Sequence, residues 1–459
     1  MPINKVVKTG LYSLVIVILC NLIFATFYSA STFIPKSKVI ESLQKSQMNG
    51  TLKTPIGSVE RSTTGLGLDY GTECAAISIG LKNTPKFPDT NKYLTRFYDG
   101  YLESGANKGV FDPCSGLVQL IDSQNQSLED SDLLSYARNW WGMSVLIQLG
   151  ILLFGLATTK IYLFIVMVLT LCFFYFQLTK YYHDWKVGLF LLAPFVLFAD
   201  FQEQQNSFPF ALFTLELFLF GFLIMYFLNK GTLSSRRLLY LSLIFGSVYN
   251  FIFWFNFHLV LTLVPILLFM ALFRSESTKS IYSKISLFLF GFVFGFISTT
   301  LIKWLLSVAV YGDEVWKTIK VALDTRLGTS GLNGPLSEYS SDFEVLPVPL
   351  RAIVINCMVA ASKVIDPRNA SLSGIIFIVA ILLVLILYYL KSICFGRFFV
   401  GNELFSAFPV FFIPYLYYIL TPNHSFNHAV LSYRAIPLSI GFLLALGYLS
   451  KTKRKSKVN

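Results

Sequence analysis

The chain reads as an all-α polytopic membrane protein of about ten transmembrane helices, roughly nine to twelve, with one large outer loop after the first span. Three observations predict this. Of 459 residues, 54% are hydrophobic and the mean hydropathy is +0.62, which excludes an ordinary soluble protein. Several apolar runs reach the ~18 residues needed to cross a bilayer. The net charge of +12 gathers at the ends of those runs: Lys5 and Lys8, Lys230 with Arg236 and Arg237, Arg274 to Lys284, and Lys451 to Lys457. That is the distribution of cytoplasmic loops under the positive-inside rule, not a nucleic-acid footprint, so no nucleic-acid partner is expected. The 45 phenylalanines suit lipid-facing and interfacial surfaces.

Taken in order, residues 1–34 are a basic cytoplasmic end and a first span. The run from Leu11 to Ala30 lacks a small-x-small cleavage site before Pro35, so it reads as an uncleaved anchor rather than a signal peptide. Residues 35–141 are the polar outer loop, 142–303 a transmembrane bundle, 304–371 a second outer, juxtamembrane segment, and 372–459 the last spans with a basic cytoplasmic tail. Spans are predicted over 9–31, 161–178, 208–228, 237–253, 257–273, 285–303, 372–390, 404–421 and 431–449. Two pieces, 143–157 and 187–199, are short for a crossing. Keeping Lys180 and Lys186 inside makes 143–157 a membrane-dipping segment, and the stretch 346–362, which contains Arg351, a surface or re-entrant helix.

This topology puts the unusual polar residues on the outer face. Cys74 and Cys114 are the pair of cysteines in the first loop, and a disulfide between them would contribute about 3 to 4 kcal/mol. Cys20, Cys172, Cys357 and Cys394 lie in apolar or interfacial stretches and read as small hydrophobes. Asp69 and Glu73, spaced by four, would share a face if their segment is helical. A carboxylate at the membrane surface suits glycosyl transfer, because the attacking hydroxyl must lose a proton while the sugar gains oxocarbenium character. The alternative is two solvated acids in a polar loop.

Several basic residues break the positive-inside bias. Lys303 ends the apolar run from Phe288, Arg434 follows Tyr433 at the mouth of the last span, and Arg138 stands where the loop returns to the bilayer. Such cations either snorkel as anchors or bind a lipid phosphate or pyrophosphate headgroup. Arg326, in an amphipathic stretch from Asp313 to Thr329, is a further headgroup candidate. His424 and His428, in the turn after Thr421, lack metal-ligand spacing and read as hydrogen-bonding partners for phosphate or sugar. No cofactor is expected, with a divalent metal left open. There is no phosphate-binding Gly-rich loop and no dinucleotide fingerprint, which argues against an ATP-driven pump or a cytosolic nucleotide-sugar enzyme.

These residues resemble a class of bacterial polytopic proteins found with cell-surface polysaccharide functions. The matches are Thr72-Glu73-Cys74, Cys114, Tyr136-x-Arg138-x-Trp140-Trp141-Gly142, Lys303-Trp304, and Asn423-His424-Ser425 with His428, Tyr433 and Arg434. Trp141 stands where that pattern has histidine, and Asn139 where it has an aromatic residue. The architecture is similar to the glycosyltransferase-C superfamily, including the serotype-converting O-antigen glucosyltransferases of temperate phages. That resemblance implies a multi-pass protein of the bacterial inner membrane whose active site faces the periplasm. It implies a polyprenyl-phosphate sugar as donor and a polysaccharide or lipid-linked glycan as acceptor. Asp69 would be the base and Glu73 its partner or a substrate ligand, with Arg138, Lys303, Arg326 and Arg434 as headgroup contacts. The competing readings are a polysaccharide polymerase or ligase, a lipid-linked sugar flippase or transporter, and a non-enzymatic assembly or immunity protein.

Overall fold

The computed structural model describes residues 3–54, 59–60, 68–81, 94, 100–102, 113–122, 133–135, 139–199, 201–252, 257–273, 275–327, 347–362, 407–422, 425 and 432–458. Helices dominate. Four of them are long and apolar enough to cross a membrane, covering Val7–Phe33, Leu156–Tyr182, Phe208–Asn229 and Thr278–Tyr311, and shorter apolar helices accompany them. The chain is a multi-pass helical membrane protein. The predicted span 372–390 lies outside the described residues.

Helix α1, Ile3–Ala30, is followed by α2, Lys36–Met48. The loop then contributes two short antiparallel β-pairs: β1, Val59–Glu60, with β2, Leu68–Asp69, and β3, Gly100–Leu102, with β4, Leu133–Ser135. Between them lie α3, Tyr70–Ser78, and α4, Pro113–Asp122. The Cys74–Cys114 disulfide joins these two helices. Helix α3 is not a solvated outer element. Cys74, Ala75, Ala76, Ile77 and Ile79 are all buried, and the apolar run Cys74-Ala75-Ala76-Ile77 leaves this short helix no polar face.

The bundle begins with α5, Gly142–Phe154, and α6, Leu156–Tyr182. At roughly 20 Å, α5 is too short to cross the hydrocarbon core. The chain reverses at Gly155, whose φ of 77° suits glycine, and Gly150 then packs directly on Thr159. Next come α7, Trp185–Phe198; α8, Phe208–Asn229; α9, Ser235–Ile252; α10, Phe257–Leu272; and α11, Thr278–Tyr311. Glycines set the closest packing. A Cβ at Gly246 of α9 would run into the Phe292 carbonyl of α11, and one at Gly295 of α11 into the Leu243 carbonyl of α9. Gly441 seats the last helix on the Leu191 carbonyl of α7 in the same way.

Three sequence expectations are corrected here. Helix α11 does not stop near Lys303 but continues two turns to Tyr311, because Trp304-Leu305-Leu306 extend the apolar run past the isolated lysine. The segment 404–421 is not one continuous helix. It breaks at Phe412, before α14, Ile413–Leu420, because Pro414 has no N–H to offer the carbonyl one turn back. The stretch expected as a surface or re-entrant helix forms α13, Val348–Ser362, and its burial excludes the surface alternative. Ala352, Ile355, Asn356 and Met358 are buried, and the helix packs with Tyr418, Tyr433 and Ile436 in a small core of its own. Between α11 and α13 lies α12, Asp313–Leu327, and the chain ends in α15, Ala435–Val458.

Candidate functional site

The acid pair is split. Glu73 lies within α3, whereas Asp69 is in β2, paired with Val59, and the helix starts only at Tyr70. The shared helix face expected from their spacing does not form. Asp69 instead occupies the position just ahead of the helix, where its backbone is claimed by the pairing with Val59.

Glu73 is 2% exposed and fully committed. Its Oε1 pairs with Lys160 Nζ of α6 at 2.5 Å, and its Oε2 accepts from the Phe208 N–H at 3.2 Å. Phe208 is the first residue of α8, so the carboxylate meets one of the unsatisfied donors at the positive end of that helix. Lys160 also donates to the Asn206 carbonyl at 2.9 Å and lies 5.5 Å from the Phe208 ring centroid. Lys160 was not among the sequence candidates. Its signal was a lone cation at the start of a long apolar run. Gln148 of α5 reinforces the docking by donating to the Ile77 and Ile79 carbonyls.

The start of α8 also receives the C-terminal arginine. Arg434, 1% exposed, lies with its guanidinium carbon 4.1 Å from the Phe210 centroid and 5.8 Å from that of Phe213, and its Nε donates to the Ala199 carbonyl at the end of α7. Tyr433, fully buried, flanks it at 5.5 Å. Beside them is a hydrogen-bonded knot. Ser432 donates to Asn356 Oδ1 at 2.6 Å, while its carbonyl accepts from Tyr418 and from His258 Nε2, both at 2.9 Å. Asn356 in turn donates to the Ser425 carbonyl. His258 was absent from the sequence candidates, yet it and Asn356 hold the segment before α15 in place.

Lys303 sits in a second setting, 1% exposed. Its ammonium lies 5.5 Å from the Tyr28 ring and 5.3 Å from the Trp140 ring, a cation–π pocket between α1 and the loop's return. Trp140 donates to the Thr299 carbonyl at 3.4 Å and packs edge-on against Phe24 and Tyr28. Thr299 and Thr300 are held by Asn21 of α1 and Asn250 of α9. Trp141 takes a left-handed φ of 49°, a costly conformation for a bulky residue. Burial of both tryptophans, and Gly142 pressed on the Phe251 ring, hold it there.

Glu73 and Arg434 therefore meet the same end of α8, while Lys303 and Trp140 form a neighbouring cluster linked to it through α5. Arg326 lies in α12, and of its side chain nothing is described. The same holds for Asp69, while Arg138, His424 and His428 lie outside the described residues. Among the described residues, no group of three His, Cys, Asp or Glu side chains comes together as a metal site. The chain matches no known protein-family model, no curated protein and no solved structure.

Proposed function

We propose that the protein is a membrane glycosyltransferase that moves a sugar from a polyprenyl-phosphate donor to a lipid-linked or surface polysaccharide such as O-antigen. It would act at the periplasmic face of a bacterial inner membrane, in the manner of the glycosyltransferase-C superfamily. One observation supports this reading: the loop acid and the two buried cations lie far along the bundle from the basic clusters. Lys303 stands roughly 28 Å along α11 from Lys284, close to one hydrocarbon thickness. Arg434 stands roughly 25 Å from Lys451 along the last helix. Glu73 meets the start of α8, and Lys230 follows its end.

In this reading Asp69 takes the proton of the acceptor hydroxyl, with its backbone placed at the β2–α3 junction. Glu73 anchors that junction to α6 and α8, so it serves as a positioning residue more than as a second base. Lys303 and Arg434 supply positive charge for the phosphate, with Tyr433 beside Arg434, and Arg138, Arg326, His424 and His428 are further contacts to donor or acceptor. Donor and acceptor classes are those that the resemblance to the glycosyltransferase-C superfamily implies.

Mass spectrometry of surface glycan from cells with and without the gene tests the reading. Loss of one side-chain sugar is the expected result. Shortened chains would mark a polymerase or ligase instead, and accumulation of lipid-linked intermediates on the cytoplasmic side a flippase. Asp69→Ala is expected to cut transfer by about 10²–10⁴-fold while membrane insertion is kept. Full activity in that variant would remove Asp69 as the base.

A further inference from the structure

Helix α8 is the most enclosed of the four long apolar helices, with 61% of its most apolar window buried, yet it carries an acid in its middle. Glu216 lies roughly 12 Å along the helix from Phe208, at 1.5 Å per residue. It is 8% exposed, and neither carboxylate oxygen has a hydrogen-bond partner among the described residues. Thr214 Oγ1, two residues earlier, is equally buried and unpartnered.

A second polar atom stands opposite. Helices α8 and α9 are consecutive and antiparallel across a short turn, and Phe220 stacks on Phe245 with centroids 3.5 Å apart. One turn beyond that stack on each helix are Glu216 and Tyr249, which brings them level. Tyr249 is 1% exposed and its hydroxyl also lacks a partner among the described residues. The two lie within electrostatic reach of each other, and Tyr249 within reach of Tyr417. Tyr417 in turn stacks on His258 with centroids 4.6 Å apart.

The charged groups on elements packed against α8 are engaged elsewhere. Lys160 of α6 is held by Glu73 of α3 and by the Asn206 carbonyl. Arg434 stacks on Phe210 and Phe213, nearer the helix start, and bonds Ala199. His258 of α10 donates through Nε2 to Ser432, and α5 has no ionisable side chain. Of the remaining ionisable groups of α6 and α9, Lys180 and Arg237 lie toward the far end of α8, Tyr162 lies near Lys160 at its start, and Tyr175 donates to the Trp185 carbonyl. An isolated carboxylate in such a place costs several kcal/mol unless a proton or cation accompanies it. Acids kept inside membrane spans mark ion or proton sites by default.

We propose that Glu216 is an exchangeable proton-binding site inside the membrane, and that the neighbouring Tyr249 hydroxyl tunes its occupancy. This inference is independent of the transferase reading. It is tested on the full chain in native membranes with N,N′-dicyclohexylcarbodiimide, which reacts with protonated carboxyl groups in apolar surroundings. The carboxyl proton moves to a carbodiimide nitrogen, the oxygen adds to the central carbon, and the acylisourea rearranges to a stable N-acylurea of unchanged composition.

Peptide mass spectrometry is expected to find the adduct on Glu216. Its yield should fall as pH rises, about tenfold per unit above the half-point. Tyr249→Phe should move that half-point, and Glu216→Gln should abolish the adduct. Absence of labelling at every pH, labelling indifferent to pH, or a half-point unmoved by Tyr249→Phe would overturn the proposal. So would suppression by sodium at fixed pH and ionic strength, which would make the ligand a metal cation. If Glu216→Gln fails to insert, the pH series on the natural chain and on Tyr249→Phe still decides.

Discussion

Two buried glutamates meet the same helix and live in opposite circumstances. Glu73 reaches the first turn of α8, where Lys160 and the Phe208 N–H take up both of its oxygens. Glu216 belongs to α8 itself, two turns deeper, where neither oxygen has a partner among the described residues. Both are almost wholly enclosed, at 2% and 8% exposure, so burial does not separate them. Position along the helix does. A helix start presents unsatisfied donors and a positive dipole end, whereas the helix middle has spent its backbone N–H groups on its own ladder. The first acid is a structural latch, and the second is kept at a cost that stability does not explain.

The sharpest way to break this contrast is to remove Glu73. Glu73→Ala leaves Lys160 buried without its counter-ion and is expected to destabilise the chain by about 3–5 kcal/mol. The double variant Glu73→Ala/Lys160→Met should recover most of that loss, as read by thermal unfolding in detergent. If the single variant melts like the natural chain, Glu73 is not a latch. Next in size is the disulfide. Cys74→Ser should cost about 3–4 kcal/mol, and about as much is expected from reduction of the natural chain. Because the bond ties α4 to α3 one residue after Glu73, the variant should also loosen amide protection at the start of α8.

Glu216→Leu probes the other side of the comparison. Replacing a buried, unpartnered acid by a hydrophobe of similar size should leave the melting temperature unchanged or raise it. A loss as large as that of Glu73→Ala would show that Glu216 is structural after all. The smallest effect concerns a third acid. Glu276, just ahead of α11, is partly desolvated, which raises its pKa, but hydrogen bonds from Lys284 and Ser280 and the Lys284 charge outweigh that and hold the carboxyl below its ordinary value. A depressed folded-state pKa means stability that is present above the ordinary value of 4.5 and lost as pH falls through the folded one. Melting curves at neutral and strongly acidic pH should therefore show an acid-induced loss of at most about 1 kcal/mol that Glu276→Gln does not share.

Much of the site was legible residue by residue. Cys74 with Cys114, Glu73, Lys303 and Arg434 were each singled out by a charge or thiol in an unexpected setting, Tyr433 entered with the resemblance, and all are buried. What spacing alone suggested, a shared face for Asp69 and Glu73, failed because local strand pairing claims Asp69 before the helix begins. Lys160, Glu216 and Asn356 were overlooked for a common reason. Each sits singly in an apolar run, and a window average absorbs one polar residue without trace. Their meaning depends on partners far away in sequence: Glu73 for Lys160, Tyr249 for Glu216, Ser432 for Asn356.

Composition and hydrophobic run length determined the class of molecule, because crossing a bilayer demands an internally hydrogen-bonded helix of sufficient apolar length whatever its neighbours are. The distribution of Lys and Arg supplied the expected sidedness of the helix ends, since that bias acts on each loop separately. Only the tertiary structure decided where helices bend or stop, which cation meets which acid, and which acid meets none. Those outcomes follow from close contact, as where the Gly246 and Gly295 backbones meet α11 and α9, and contact energies fall away within a few ångströms. That Glu73 is paired, and that Glu216 meets no hydrogen-bond partner among the described residues, was decided by one helix start and one helix middle, a distinction that neither residue's own neighbours in sequence contain.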